Sequence, residues 1–250
     1  MRKPLVAGNW KLNGSLNSIT ELVSGIRELQ DRVTTAELAI CPPSIYMSHV
    51  RDCLDGSDIA LGAQDCSDQE SGAFTGEVAA AMIKEFSCTY NIIGHSERRH
   101  IYGDSNETVA TKFAHVVKNG LTPILCVGET LQDREGGHTE VVIAQQINAI
   151  LDLFGSKAFA NAVIAYEPVW AIGTGKVATP AQAQEVHEEI RLILDARNKD
   201  IAANIRILYG GSMKPENAKE LLQQPDIDGG LIGGAALKAE DFVGIATAAN

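Results

Sequence analysis

Eight short apolar runs, none alternating with polar residues, constrain this chain more than any other feature. They are Leu5–Gly8, Leu38–Cys41, Ile59–Ala63, Asn91–Gly94, Pro123–Val127, Ala162–Tyr166, Ile205–Tyr209 and Gly230–Ile232. A strand with one wet face alternates, whereas an unbroken run fits a parallel strand buried on both faces. Helical stripes lie between the runs, for example Ile19, Leu22, Val23 and Ile26, or Ala183, Val186, Ile190 and Ile193 or Leu194. Helix starts are signalled by Ser18-Ile-Thr-Glu21, read as a capping box, by Thr179-Pro180-Ala-Gln182 and by Lys214-Pro215. Strand and helix thus alternate eight times at roughly 32 residues per unit, the size of a βαβ repeat. Right-handed crossovers make the sheet parallel.

A closed barrel and an open doubly wound sheet compete for this pattern. The open sheet usually carries G-x-G-x-x-G after its first strand, and Gly8-Asn9-Trp10-Lys11-Leu12-Asn13-Gly14 does not fit it. No linker rich in Pro, Gly or Ser divides the 250 residues, a usual length for eight strand–helix units. The expectation is an α/β protein with a closed eight-stranded parallel (β/α)8 barrel, one domain over residues 1–250.

Charge narrows the partners. A formal net charge of −11 repels nucleic acid phosphates and anionic lipid, so neither is expected, and a small anion would need a locally positive pocket. No run approaches the ~18 apolar residues of a membrane span, and the stretch after Met1-Arg2-Lys3 is too short for a signal peptide. Five scattered cysteines without a C-x-x-C pair argue against a disulfide framework and structural zinc. The expected location is cytoplasmic.

In such a barrel the reacting groups gather where strands end. This places Asn9 and Lys11 after the first strand, His95-Ser96-Glu97 after the fourth and Glu167-Pro168 after the sixth. Gly210-Gly211-Ser212 follows the seventh and Gly233-Gly234 the eighth. Burial would raise the pKa of Glu167 and suit it to general-base work, while a capping or salt-bridged glutamate is the plainer alternative. His95 opens a short helix whose N-terminus disfavours imidazolium, leaving a neutral donor; a single structural hydrogen bond has equal weight. Metal binding by His95, Glu97 and His100 is weaker, since the i, i+4 His pair is missing. Lys11 reads as an anion anchor, a Schiff-base amine or a snorkelling surface lysine. Ser212 and Gly233-Gly234 occupy the usual phosphate loops. The stretch Ala171-Ile172-Gly173-Thr174-Gly175-Lys176 fails as a nucleotide loop, because Trp170 and Val177 replace its first Gly and its Ser/Thr. It reads as a Gly-hinged lid, with an ordinary exposed loop as the alternative.

Several motifs recur in the order of one known family. They are Gly8–Gly14, Ser71-Gly72-Ala73-Phe74-Thr75-Gly76-Glu77, Ile93-Gly94-His95-Ser96-Glu97-Arg98-Arg99 and Leu125-Cys126-Val127-Gly128-Glu129. Ala165-Tyr166-Glu167-Pro168-Val169-Trp170-Ala171-Ile172-Gly173-Thr174-Gly175, Tyr209-Gly210-Gly211-Ser212 and Gly233-Gly234-Ala235 complete the set. Along nearly its whole length the chain resembles the triosephosphate isomerase family, whose fold is the TIM barrel. The resemblance implies cofactor-free and metal-free interconversion of dihydroxyacetone phosphate and D-glyceraldehyde 3-phosphate through an enediolate, in glycolysis and gluconeogenesis. It implies that Glu167 removes the carbon-bound proton, that neutral His95 serves the two oxygens, and that Lys11 and Asn9 bind substrate and stabilise charge. Glu97 would orient Lys11, and Gly173, Ser212, Gly233 and Gly234 would hold the phosphate. Pro168, Val169, Trp170, Ala171, Ile172, Gly173, Thr174, Gly175, Lys176, Val177 and Ala178 would form the lid. A homodimer is implied too, with the loop from about Gln64 to Gly76 reaching across and Thr75 approaching the partner's site.

Three positions depart from the family pattern. Ala236 stands where many relatives carry Ser, Phe74 where Tyr is common and Met213 where Val is usual. The first bears on a helix cap near the phosphate, and the second removes an interface hydrogen bond. Two rival functions are an aldolase using Lys11 and a silent phosphosugar-binding barrel; the intact Lys11, His95 and Glu167 set speaks against the second.

Overall fold

Strand residues in this chain face two different cores, which is why their sequence does not alternate. In the computed structural model, which describes residues 2–172 and 177–250, Leu5, Ala7, Ala39 and Cys41 pack inside the barrel with Ile92, Ile124, Ala165 and Leu208. Their neighbours Val6, Leu38, Ile40, Ile93 and Leu125 point outward, against the helices. Both directions are dry, so both demand apolar side chains.

The strands are β1 (Leu5–Asn9), β2 (Glu37–Cys41), β3 (Ala60–Ala63), β4 (Tyr90–Ile93), β5 (Thr122–Val127), β6 (Val163–Tyr166), β7 (Arg206–Tyr209) and β8 (Gly229–Ile232). Each lies within one residue of the expected run at either end. They pair in sequence order, all parallel, and β8 closes onto β1 through Leu5↔Gly229 to Gly8↔Ile232. The opposite mouth of the barrel is filled by polar residues from the strand starts. Tyr90 donates to Glu37 at 2.5 Å, and Arg206 donates to Glu37 and to the Tyr90 hydroxyl, both at 2.8 Å.

Two helix starts at Pro180 and Pro215 are as expected. Thr179 and Gln182 exchange side-chain-to-backbone hydrogen bonds, which pins the chain at the start of the helix that follows β6. The first helix is different. It runs Leu16–Leu29, and its cap is Ser15 rather than Ser18. Ser15 accepts the Ser18 N–H and Ser18 accepts the Ser15 N–H, so the two serines satisfy the free donors between them. Glu21 therefore sits one turn inside the helix. Among the described residues, no helix is long and apolar enough to cross a membrane.

Candidate active site

The end of β6 carries Glu167 into the barrel mouth, and its two neighbouring strands make room. The Glu167 N–H extends the β5 ladder by donating to the Val127 carbonyl at 2.7 Å. A Cβ added at Gly128 would overlap the Glu167 carbonyl, and one at Gly210 would stand 2.9 Å from its Cγ. Only glycine lets both strands approach this closely.

The carboxylate, 2% exposed, is turned toward the end of β4. Oε2 accepts the Ser96 N–H at 2.8 Å, and Oε1 accepts the Ser96 hydroxyl at 3.2 Å and lies 2.9 Å from His95 Nε2. His95 caps the helix Ser96–His100, where its Nδ1 accepts the Glu97 N–H at 3.2 Å. A nitrogen that accepts carries no proton, so the proton is on Nε2 and faces Glu167.

These contacts reverse the expected pKa of Glu167. Burial would raise it, but His95, the Ser96 N–H and Lys11 outweigh burial and hold it below the ordinary carboxylate value. The deciding groups come from other strands, Ser96 lying 71 positions away, so β6 alone does not reveal them. His95 also departs from expectation. Burial lowers its pKa, but the touching Glu167 carboxylate prevails and leaves it raised.

Lys11 is held in a conformation that its side chain resists. Its φ of +52° lies in the left-handed region, which is unfavourable for a non-glycine residue. Its N–H donates to Asn9 Oδ1 at 3.0 Å, and its carbonyl accepts from Gln64 Nε2 at 3.0 Å. Gln64 also donates to the Cys41 carbonyl, at 2.9 Å. Nζ then meets Glu97 Oε1 at 2.7 Å. The family resemblance marks Gln64 only as the start of a partner-reaching loop; its place one residue past β3 is the signal for its second role.

Asn9, Lys11, His95, Glu97, Glu167, Ser212, Gly233 and Gly234 all line one cavity of about 490 Å³. Ala235 and Leu237 join them from the short turn Gly234–Leu237, which begins without a side-chain cap. Ala236 is buried in that turn, where its Cβ would lie 3.0 Å from a Cβ added at Gly8. Its methyl packs tightly beside Gly8 and brings no oxygen to cap the turn. Of the expected lid, Gly173, Thr174, Gly175 and Lys176 lie outside the described residues. Val169–Ala171 is a single 3-10 turn after Pro168, Ala171 is buried, and Ile172 lines the cavity. Trp170 donates to Glu129 Oε1 at 2.8 Å beneath the Arg134 guanidinium, which is 4.9 Å from its ring. Val177 is exposed and Ala178 buried. Thr75 is exposed on the loop after β3. No group of three His, Cys, Asp or Glu among the described residues is arranged to hold a metal ion.

A closed parallel barrel with a carboxylate, an imidazole and an ammonium around one cavity, and glycine turns opposite them, defines an acid–base enzyme for a small anion. The model of the family described as triosephosphate isomerase matches residues 4–249. The triosephosphate isomerase of Psychromonas ingrahamii is 53% identical over 245 residues, covering 98% of each chain. Those of Dechloromonas aromatica and Herminiimonas arsenicoxydans are each 55% identical, with 100% of both chains covered. The chain belongs to the triosephosphate isomerase family.

Proposed function

We propose that this chain is a triose-phosphate isomerase, interconverting dihydroxyacetone phosphate and D-glyceraldehyde 3-phosphate in glycolysis and gluconeogenesis. The observation that carries the assignment of roles is the 2.9 Å pair of Glu167 and His95 at a cavity shared with Lys11. Glu167 leaves Ser96 and takes a proton from the hydroxymethyl carbon of the ketone. The electron pair of that C–H bond forms the double bond of the enediolate, and the carbonyl oxygen gains the negative charge. His95 gives its Nε2 proton to that oxygen and recovers one from the neighbouring hydroxyl. Glu167 then returns its proton to the adjacent carbon, giving the aldehyde. Once Glu167 has turned to the substrate, the charge that raised the imidazole's pKa is withdrawn, and a neutral ring becomes the favoured donor.

Lys11 and Asn9 serve the developing charge, and Glu97 orients Lys11 through its 2.7 Å contact. A donor preset for such an oxyanion is typically worth about 10²–10³ in rate. Gly173, Ser212, Gly233 and Gly234 grip the non-reacting phosphate, using remote binding energy to position the carbon. The lid from Pro168 to Ala178 excludes water.

The working form is a homodimer in the cytoplasm. Leu12, Ile45, Phe74, Ile101 and Tyr102 are exposed on loops after β1 to β4, as expected of an interface rim, and Thr75 lies among them. All five cysteines are free thiols, which fits a reducing compartment.

Solvent deuterium entering dihydroxyacetone phosphate tests the reading. Exchange at carbon with no borohydride-trapped adduct is expected; folded, phosphate-binding protein that exchanges nothing would refute it.

A further inference from the structure

Arg99 is a cation with three neutral acceptors and no anion of its own. Its Nε donates to the Gly94 carbonyl at 2.7 Å, and its terminal nitrogens donate to Asn106 Oδ1 at 2.8 Å and the Cys126 carbonyl at 3.1 Å. No carboxylate oxygen among the described residues comes within 4.0 Å of it. Burial pulls its pKa below the ordinary guanidinium value, against the fields of Glu167 and Asp104. Partial burial of a charge among neutral partners is costly unless position or field repays it.

Both conditions are met by where the acceptors lie. Gly94 immediately precedes His95, and Cys126 immediately precedes Val127, whose carbonyl receives the Glu167 N–H. One planar fork therefore ties the exit of β4, which carries the imidazole, to the exit of β5, whose Val127 carbonyl holds the backbone of Glu167 at the end of β6. Lysine could reach one of these oxygens, not all three acceptors. The helix Ser96–His100, which carries Arg99, also carries Ser96, so the fork fixes the turn that holds Glu167 at rest.

We propose that Arg99 is a positioning residue for the isomerisation: it clamps the Gly94 and Cys126 carbonyls so that His95 and Glu167 stay in register, and sets a fixed positive charge behind the carboxylate. The inference rests on the isomerase reading. The charged and titratable groups facing Glu167 are Lys11 from the end of β1, His95 and Glu97 after β4, Arg99 behind them and Cys126 from β5. Burial pushes the Cys126 thiol well above its ordinary value, and Glu167 adds to that, so it brings no charge. From β7 and β8 the cavity wall presents the uncharged Gly210 and Leu231, and the segment after β7 adds one cation, Lys214.

The test compares kcat, KM and the pH dependence of kcat/KM for wild type, Arg99→Met and Arg99→Lys, with inorganic phosphate binding and thermal midpoints measured alongside. Arg99→Met is expected to lower kcat about tenfold or more, to leave KM and phosphate affinity within about twofold, and to move the acid limb upward by about 0.5–1 pH unit. Arg99→Lys keeps the acid limb of wild type but loses several-fold in kcat, because charge returns without the fork. A purely structural arginine would lower the thermal midpoint of both variants and move neither the acid limb nor kcat of the folded fraction, and that result overturns the proposal. If Arg99→Met does not fold, Arg99→Lys decides alone: wild-type kcat refutes the clamp. A wild-type chain without turnover sinks the isomerase reading and this inference together, whereas an active wild type with unaltered variants sinks only the inference.

Discussion

Nε2 of His95 and Oε1 of Glu167 stand 2.9 Å apart in a site where each group perturbs the other. The carboxylate raises the imidazole's pKa, and the imidazole helps to lower that of the carboxylate. Glu167→Gln removes the charge but keeps the shape. Without a basic oxygen, turnover is expected to fall by at least the about 10²–10⁴ of a general base, while inorganic phosphate still binds. The His95 titration followed by ¹⁵N NMR should move to lower pH in the same variant, because the raising influence is gone. An unchanged His95 titration would show that the two side chains do not sense each other.

Gln64→Leu tests the strained lysine. The variant leaves the Lys11 and Cys41 carbonyls without their side-chain donor, at a cost of about 1–3 kcal/mol for each acceptor that water cannot reach. The left-handed backbone at Lys11 then relaxes and Nζ leaves its post against Glu97. Steady-state kinetics should show a kcat loss of roughly tenfold or more, given that about 1.4 kcal/mol is a factor of ten. Wild-type kcat in a folded variant would mean that Lys11 holds its conformation unaided.

What the chain reveals without coordinates depends on whether the cause is local. The apolar runs of β1 to β8 were readable because a strand buried on both faces leaves its mark on consecutive residues. The rim positions of Asn9, Lys11, His95 and Glu167 followed from strand order alone. The pKa of Glu167 did not, since Ser96 and His95 arrive from another strand. Gln64 and Arg99 were silent because they bond backbone carbonyls, and carbonyls look alike in every sequence. The cap at Ser15 is not legible because its reciprocal partner is Ser18, where the usual pattern asks for Glu or Gln, as Ser18 and Glu21 supply.

His187 makes the fold sensitive to acid. It is fully buried between the Tyr166 and Tyr209 rings; its Nδ1–H donates to the Asp226 carbonyl, and its Nε2 has no hydrogen-bond partner among the described residues. Burial pulls its pKa down to about 4. The folded state thus prefers the neutral ring, and the unfolded chain binds more protons as pH falls below its ordinary value near 6.5. This contribution is fully present above about 6.5 and disappears as pH drops to about 4, a loss of about 3 kcal/mol at 1.36 kcal/mol per unit. Urea unfolding of wild type and His187→Gln across that window should show the steeper slope in wild type. Parallel slopes would contradict a buried neutral histidine.

Association is the remaining expectation open to direct measurement. Ile45 is 83% exposed and Ile101 72%, values that leave large aliphatic side chains in water unless a second copy covers them. Sedimentation equilibrium should give about twice the 26.7 kDa of one chain at micromolar concentration. Thr75→Arg inserts a long charged side chain into the loop that also presents half-exposed Phe74. A cation buried without a partner is expensive, so the variant should dissociate at a concentration at least tenfold higher than wild type. Turnover should fall with dilution in step with dissociation if the loop completes the neighbouring site. A variant that sediments and turns over like wild type would place the interface elsewhere on the barrel.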